Sequence, residues 1–173
     1  HSEALGGVQI CTDPKNPGYD GPICKAFRGP IAGNSVKETA TDIHTKIESL
    51  RSEALCGKDW ATCRAALKTG WEEIQEAAAE ADDDAPACRF TTFVAYEHTN
   101  TPNLTKIHRN VIFRSEKVPA LPITAADEPD PLRLWQRLEK ECKQDVAGCD
   151  VLAIPHNPNL SHGHIFTIEY PED

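Results

Sequence analysis

The sequence lacks several features that define large classes of proteins. No apolar run approaches the length of about 20 residues that a transmembrane helix needs. There is no excess of basic residues either, because 18 Lys and Arg stand against 27 Asp and Glu, for a formal net charge of -9. A surface of this charge does not attract a phosphate backbone. We therefore expect neither a membrane span nor a nucleic-acid partner.

The chain also lacks the short motifs of several enzyme classes. No H-E-x-x-H, G-x-G-x-x-G, P-loop or G-x-S-x-G pattern occurs. The metalloprotease, dinucleotide-binding, P-loop and serine-hydrolase interpretations consequently have no supporting motif. Methionine is absent as well, and the first residue is His1. These two facts lead us to expect a processed or excised product.

Cysteine, by contrast, is abundant, with seven residues in a chain of 173. Six of them form close pairs along the sequence, and each pair brackets a short stretch that a disulfide could close into a local loop. The pairs are Cys11 with Cys24, Cys56 with Cys63, and Cys142 with Cys149. Cys88 is left over, and sequence alone does not fix the connectivity. A zinc cluster is the alternative, but no C-x-x-C occurs. We expect disulfides, and hence a periplasmic or extracellular location.

The pattern of apolar residues predicts a mixed α/β protein. Residues 1–33 read as a long irregular loop stapled by Cys11 and Cys24. Helical spacing covers 35–50, 59–81 with a break at Gly70, and 132–146, while RFTTFVAYEHT, HRNVIFR and VLAI read as strands. This order is that of helices covering a sheet. Since the length suits one core, we expect a single domain over residues 1–173.

Polar residues adjoin the predicted strands. Glu97 and His98 follow one strand, His156 follows another, and His108 begins the third. In α/β folds ligands sit beyond the carboxyl ends of the strands. Imidazole and carboxylate together suit zinc, manganese and iron. We therefore group Glu97, His108 and His156 with His1 as candidate metal ligands. The alternative is that a histidine next to a strand is only a hydrogen-bonded side chain.

Three segments, in order, carry a resemblance that covers most of the chain. HSEALGG, RFTTFVAYEHT with HRNVIFR, and AIPHNPNLSHG resemble an uncharacterised family of PHP-like metallohydrolases, the domain of unknown function three-six-zero-four, where PHP stands for polymerase and histidinol phosphatase. The resemblance implies part of a distorted (β/α) barrel, to which the cysteine pairs add long disulfide-stapled loops. It implies two or three divalent metal ions in the complete domain. Glu97 would ligate or bridge metals, and His108 and His156 would be further ligands.

The same resemblance places His1 in a T-D-H-S-E motif whose first two residues precede the chain. The family's earlier H-x-H strand and its later aspartate and histidine region are not found here. We therefore expect a fragment that works with the remainder of a parent chain. His98, His162 and His164 depart from the residues usual at these family positions, so we do not assign them as ligands.

The chemistry that the resemblance implies is hydrolysis of a small phosphoester or related anionic ester by a metal-activated water. Glu97, His156 and Arg109 are the candidate catalytic residues. Arg109 would contact the ester because its planar fork suits phosphate, although pairing with acidic neighbours explains it equally.

The loop after His156 is predicted to support this site. Asn157, Asn159 and Ser161 would hydrogen-bond ligands or substrate. Turn formation by asparagine is the alternative explanation.

Two other functions use the same residues differently. A secreted copper protein could chelate its metal with the amine and imidazole of His1. A non-catalytic relative could keep the fold as a binding module. The sequence immediately before His1 separates the copper interpretation from the family interpretation.

Overall fold

The computed structural model describes residues 10–21, 24–25, 28, 53–83, 85–102 and 105–169, and all structural statements concern these. The chain forms two compact units, one within residues 3–70 and the other within residues 71–173. The single domain expected over residues 1–173 stays a prediction. The helix predicted over residues 35–50 lies outside the described residues.

The first unit has a small core around a disulfide. Ile10, Cys11 and Cys24 are buried, and the half-buried Cys63 and Ala66 pack against them. The Cys11–Cys24 disulfide closes the turn-rich stretch that the sequence predicts it to close. Arg28 fastens the same stretch, because its guanidinium lies 3.4 Å from the centre of the Tyr19 ring and donates to the Cys11 carbonyl.

Helices follow along the chain. Helix α1 covers Glu53–Cys56, a 3-10 turn covers Lys58–Trp60, and helix α2 covers Ala61–Ala81. The break predicted at Gly70 is wrong, since α2 continues through it. One glycine costs a helix only about 1 kcal/mol, which a long helix tolerates.

Three strands of the second unit form one sheet. Strand β1 covers Ala95–Asn100, β2 covers Ile107–Phe113 and β3 covers Val151–Pro155, in the order β1-β2-β3. Both pairings are antiparallel. Only residues 101–106 separate β1 from β2, and a parallel pairing needs a crossover of about a dozen residues or more. The mixed α/β class is confirmed. The described strands form an open sheet. Because they are antiparallel, the expectation that the candidate ligands lie together beyond the carboxyl ends of parallel strands is wrong.

One face of this sheet carries the hydrophobic core. Tyr96, Val111 and Phe113 point to it, and the buried Trp71 of α2 lies edge-on to Tyr96 and Phe113, with ring centres 5.8 Å apart in each case. The Trp71 indole also donates to the Pro119 carbonyl at 2.9 Å. This aromatic group fixes the sheet against α2.

Helix α3 covers the same face of the sheet. It spans Pro131–Leu138 and begins at Asp130, whose carboxylate accepts from the backbone of Leu132 and Arg133. Its buried residues are Leu134 and Leu138, and they join the core. A π-helical segment, Glu139–Gln144, continues it. Gly148 has a φ of 81°, which fits the predicted stop after the helix.

All three predicted disulfides are present, and the described Cys88 is free and exposed. This agreement supports an oxidising environment. Among the helices in the described ranges, none has the length and apolar character needed to cross a membrane.

Candidate functional site

Three of the candidate ligands, Glu97, His108 and His156, lie on the face of the sheet turned away from the core. Side chains alternate between the faces of a strand, and residues directly opposite each other in antiparallel strands share a face. The register pairs Glu97 with Asn110 and Thr99 with His108. It pairs Arg109 with Pro155, which puts His156 opposite His108. We call these five residues, Glu97, Thr99, His108, Asn110 and His156, the site face.

The centre of the site face is a contact between a carboxylate and an imidazole. Oε1 of Glu97 contacts Nδ1 of His108. The Thr99 hydroxyl donates to the same Oε1 at 2.7 Å and lies 3.0 Å from the same Nδ1. His108 is buried, and the Glu97 side chain is 24% exposed. Three polar groups from two strands therefore converge on one point.

The charges in this group follow from the contact. Burial raises the pKa of the Glu97 carboxyl, but the hydrogen bond from Thr99 and the neighbouring His108 outweigh it, so the pKa is lowered overall. Glu97 is thus a carboxylate at neutral pH. A carboxylate oxygen accepts only, so the Nδ1 of His108 that meets it carries a proton. His108 then has Nε2 left for another partner.

His156 comes next to this pair at the end of β3. Its backbone N–H donates to the His108 carbonyl at 3.1 Å, which extends the ladder between β2 and β3 by one residue. The two imidazole rings are 5.5 Å apart, at 63° to each other. His156 is exposed, whereas His108 is buried. The structure thus places three of the four candidate ligands, Glu97, His108 and His156, on one face of the sheet.

The loop after His156 is held by its own hydrogen bonds. Oδ1 of Asn157 accepts from the backbone of Asn159, and Oγ of the buried Ser161 accepts from the backbone of Gly163. Lys106, just before β2, donates its N–H to the Leu160 carbonyl at 2.9 Å. Asn157 and Ser161 therefore form turns, as the alternative explanation expected. Contact of Asn157, Asn159 or Ser161 with substrate stays a prediction.

Arg109 lies on the other face of the sheet. It is 1% exposed, and its guanidinium lies 5.5 Å from the centre of the Trp135 ring of α3. Contact of Arg109 with an anionic ester stays a prediction, but Arg109 and His108 do not share a face of the sheet. The reason is the alternation of side chains, since consecutive strand residues point to opposite faces.

His98 shares that opposite face. It is buried, with Nε2 2.8 Å from the Glu128 carbonyl, apart from the site face. His162 and His164 are exposed in the loop after β3. That these three histidines are not ligands stays a prediction. His1 lies outside the described residues.

The five residues of the site face do not by themselves form a complete metal centre. Within the described ranges, no three His, Cys, Asp or Glu side chains are grouped closely enough to hold a metal ion. The donor types nevertheless fit a divalent transition metal, because an imidazole whose Nδ1 meets a carboxylate is the usual arrangement of a ligating histidine. The contact with Glu97 therefore leaves Nε2 as the ring nitrogen of His108 that would be open to a metal.

Thr99 and Asn110 were missed by the reasoning from sequence. Thr99 lies two residues after Glu97, and Asn110 two residues after His108. Once both segments are read as strands, this spacing puts each residue on the same face as the candidate ligand before it. The patterns E-x-T and H-x-N could therefore have indicated from the sequence that Thr99 and Asn110 share a face with Glu97 and His108.

Comparison with known proteins identifies a family but no activity. A family model described as "Protein of unknown function (DUF3604)" matches residues 1–173. No curated protein and no solved structure matches the chain significantly. The relationship to PHP-like enzymes and the hydrolase chemistry thus stay predictions.

Proposed function

The chain belongs to the DUF3604 family, and on that premise we propose that it is part of a metal-dependent hydrolase of phosphoesters or related anionic esters. Manganese, zinc or iron, when bound, would lower the pKa of a water and stabilise charge on a phosphoryl oxygen. The observation that carries the proposal is the contact of Glu97 with His108, with the His156 ring beside them.

The chain's own residues have distinct roles in this proposal. Glu97 accepts from Nδ1 of His108 and thereby orients the ring, so that His108 would bind metal through Nε2. The expected role of Glu97 as a direct or bridging metal ligand stays a prediction. His156 is exposed at the rim of the site face, where it would complete the imidazole donors or meet substrate. His1 would be a further ligand, as the resemblance to PHP-like enzymes implies.

Two coarser features fit the same proposal. The three disulfides support a periplasmic or extracellular enzyme, since such bonds persist in oxidising compartments. We also propose that the open sheet is one portion of the distorted barrel, with the remainder of the parent chain supplying other metal ligands. Small anionic esters would be the substrates.

Metal content tests the site directly. The full-length protein and the variants Glu97→Ala and His156→Ala would be equilibrated with manganese or zinc, dialysed and analysed for bound metal. We expect each variant to bind metal at least about tenfold more weakly. The matched control is His164→Ala, which removes an exposed histidine away from the site face and should leave the metal content unchanged. Equal metal content in all four proteins would refute the site.

Hydrolysis is measured separately on the metal-loaded protein. With p-nitrophenyl phosphate and bis-p-nitrophenyl phosphate as probes, we expect turnover that requires metal and is lost in Glu97→Ala. Full metal occupancy without turnover of either ester would contradict the phosphoesterase assignment but not the proposed metal site.

A further inference from the structure

We propose that Thr99 is a positioning residue, whose hydroxyl holds Glu97 and His108 in one fixed arrangement. Its Oγ1 is 2.7 Å from Oε1 of Glu97 and 3.0 Å from Nδ1 of His108. The same Oε1 contacts the same Nδ1. Thr99 thus closes a triangle of polar atoms in which each atom touches the other two.

The protons of this triangle have only one consistent placement. A threonine hydroxyl has a single proton and can accept as well as donate. Since it donates that proton to the Glu97 carboxylate, it accepts from His108, and the Nδ1 proton is shared between Glu97 and Thr99. The hydroxyl therefore favours the Nδ1–H tautomer of His108 and orients the carboxylate that meets it.

The position of Thr99 in the sheet makes it suited to this role. It lies directly opposite His108 in the register and two residues after Glu97, so one side chain reaches both partners. Its β-branched side chain has few accessible χ1 rotamers, which limits where the hydroxyl can point. Glu97 has several rotatable bonds, so the orientation of its carboxylate depends on a partner such as Thr99 that restricts its rotamers.

The consequence for metal binding rests on the proposed function. A histidine held with its proton on Nδ1 presents Nε2 in a fixed direction, and partners of this kind raise metal affinity. Thr99 itself would touch neither metal nor substrate. Its effect would be transmitted entirely through Glu97 and His108.

Paired substitutions test this role. Thr99→Val keeps the shape and removes the hydroxyl, whereas Thr99→Ser keeps the hydroxyl. Thr92→Val is the matched control, because the half-buried Thr92 hydroxyl donates to the Ala78 carbonyl away from the site face. In metal-free protein, NMR would follow solvent exchange of the His108 Nδ1–H proton. We expect exchange about tenfold faster in Thr99→Val, the scale of one hydrogen bond to a charged group. Thr99→Ser and Thr92→Val should match the wild type.

Titration with zinc or manganese gives the second measurement. We expect Thr99→Val to bind about tenfold more weakly, with affinity restored in Thr99→Ser. Unchanged proton exchange in Thr99→Val, or equal effects of Thr99→Val and Thr99→Ser, would overturn the role of Thr99. Failure of the wild type to bind metal would overturn the proposed function instead, and the exchange of the Nδ1 proton would still decide the role of Thr99.

Discussion

The disulfide between Cys142 and Cys149 offers the most quantitative prediction from the fold. It joins residues seven apart in sequence, directly after helix α3. The chain-entropy relation gives about 2.4 kcal/mol of stabilisation for a loop of this length. Cys142 is fully buried and Cys149 is 7% exposed, and both belong to the core of the second unit. Loss of their sulfur atoms in a double alanine variant brings the expected cost to about 3 kcal/mol.

Urea unfolding followed by tryptophan fluorescence measures this cost, because Trp71, one of the three tryptophans of the chain, lies in the same core. A typical slope of about 1–3 kcal/mol per molar urea turns the loss into a midpoint shift of roughly 1–3 M. The double variant of Cys56 and Cys63 is the control. It opens a loop of the same sequence separation, so its entropic cost is equal, but its disulfide lies outside that core. A cost below about 1 kcal/mol for the Cys142 and Cys149 variant would refute the reasoning.

Three further predictions concern other buried groups. Arg109→Ala should destabilise the protein by about 2 kcal/mol or more in urea unfolding, because a fully buried side chain is lost. Unchanged stability together with a selective loss of ester hydrolysis would contradict this structural role and indicate that Arg109 contacts the substrate. Burial raises the pKa of Tyr96, so the unfolded state releases this proton first, near pH 10, and stability should fall as pH rises above that value. Absorbance at 295 nm should show Tyr96, identified by comparison with Tyr96→Phe, ionising only as the protein unfolds, and ionisation in the folded state would contradict this. Asp130→Ala should lower the free energy of unfolding by about 1 kcal/mol, because it removes the N-terminal cap of α3, whereas Asp130→Asn should keep most of that stability. Equal unfolding midpoints in urea for Asp130→Ala and wild type would contradict the capping role.

Local features of the fold followed well from the sequence. The disulfide pairs are close in sequence, so each is fixed by its own short loop. The three strands were predicted, although RFTTF precedes β1 and does not belong to it. The expected parallel pairing was wrong, because periodicity identifies strands but not the direction of their partners. The short connection between β1 and β2 did carry that information, since it is too short for a crossover.

The candidate site was predictable in part for a similar reason. Glu97, His108 and His156 were grouped by residue type and by resemblance, and the antiparallel register places them on one face. Arg109 was grouped with them because it follows His108 in sequence. Consecutive residues of a strand point to opposite faces of the sheet, so Arg109 lies on the face opposite His108, where it is buried. The E-x-T spacing puts Thr99 on the same face as Glu97, but its contact with His108 required the structure, since only the cross-strand register brings the two together.

The most direct test of the central claim is to locate a bound metal. Crystals of the full-length protein grown with zinc or manganese would be measured at the metal's absorption edge, and an anomalous difference map would show the ion. We expect a peak bonded to Nε2 of His108, with Nδ1 of the same ring still in contact with Glu97. Metal found only at the exposed His162 or His164, or no anomalous peak at the site face, would contradict it.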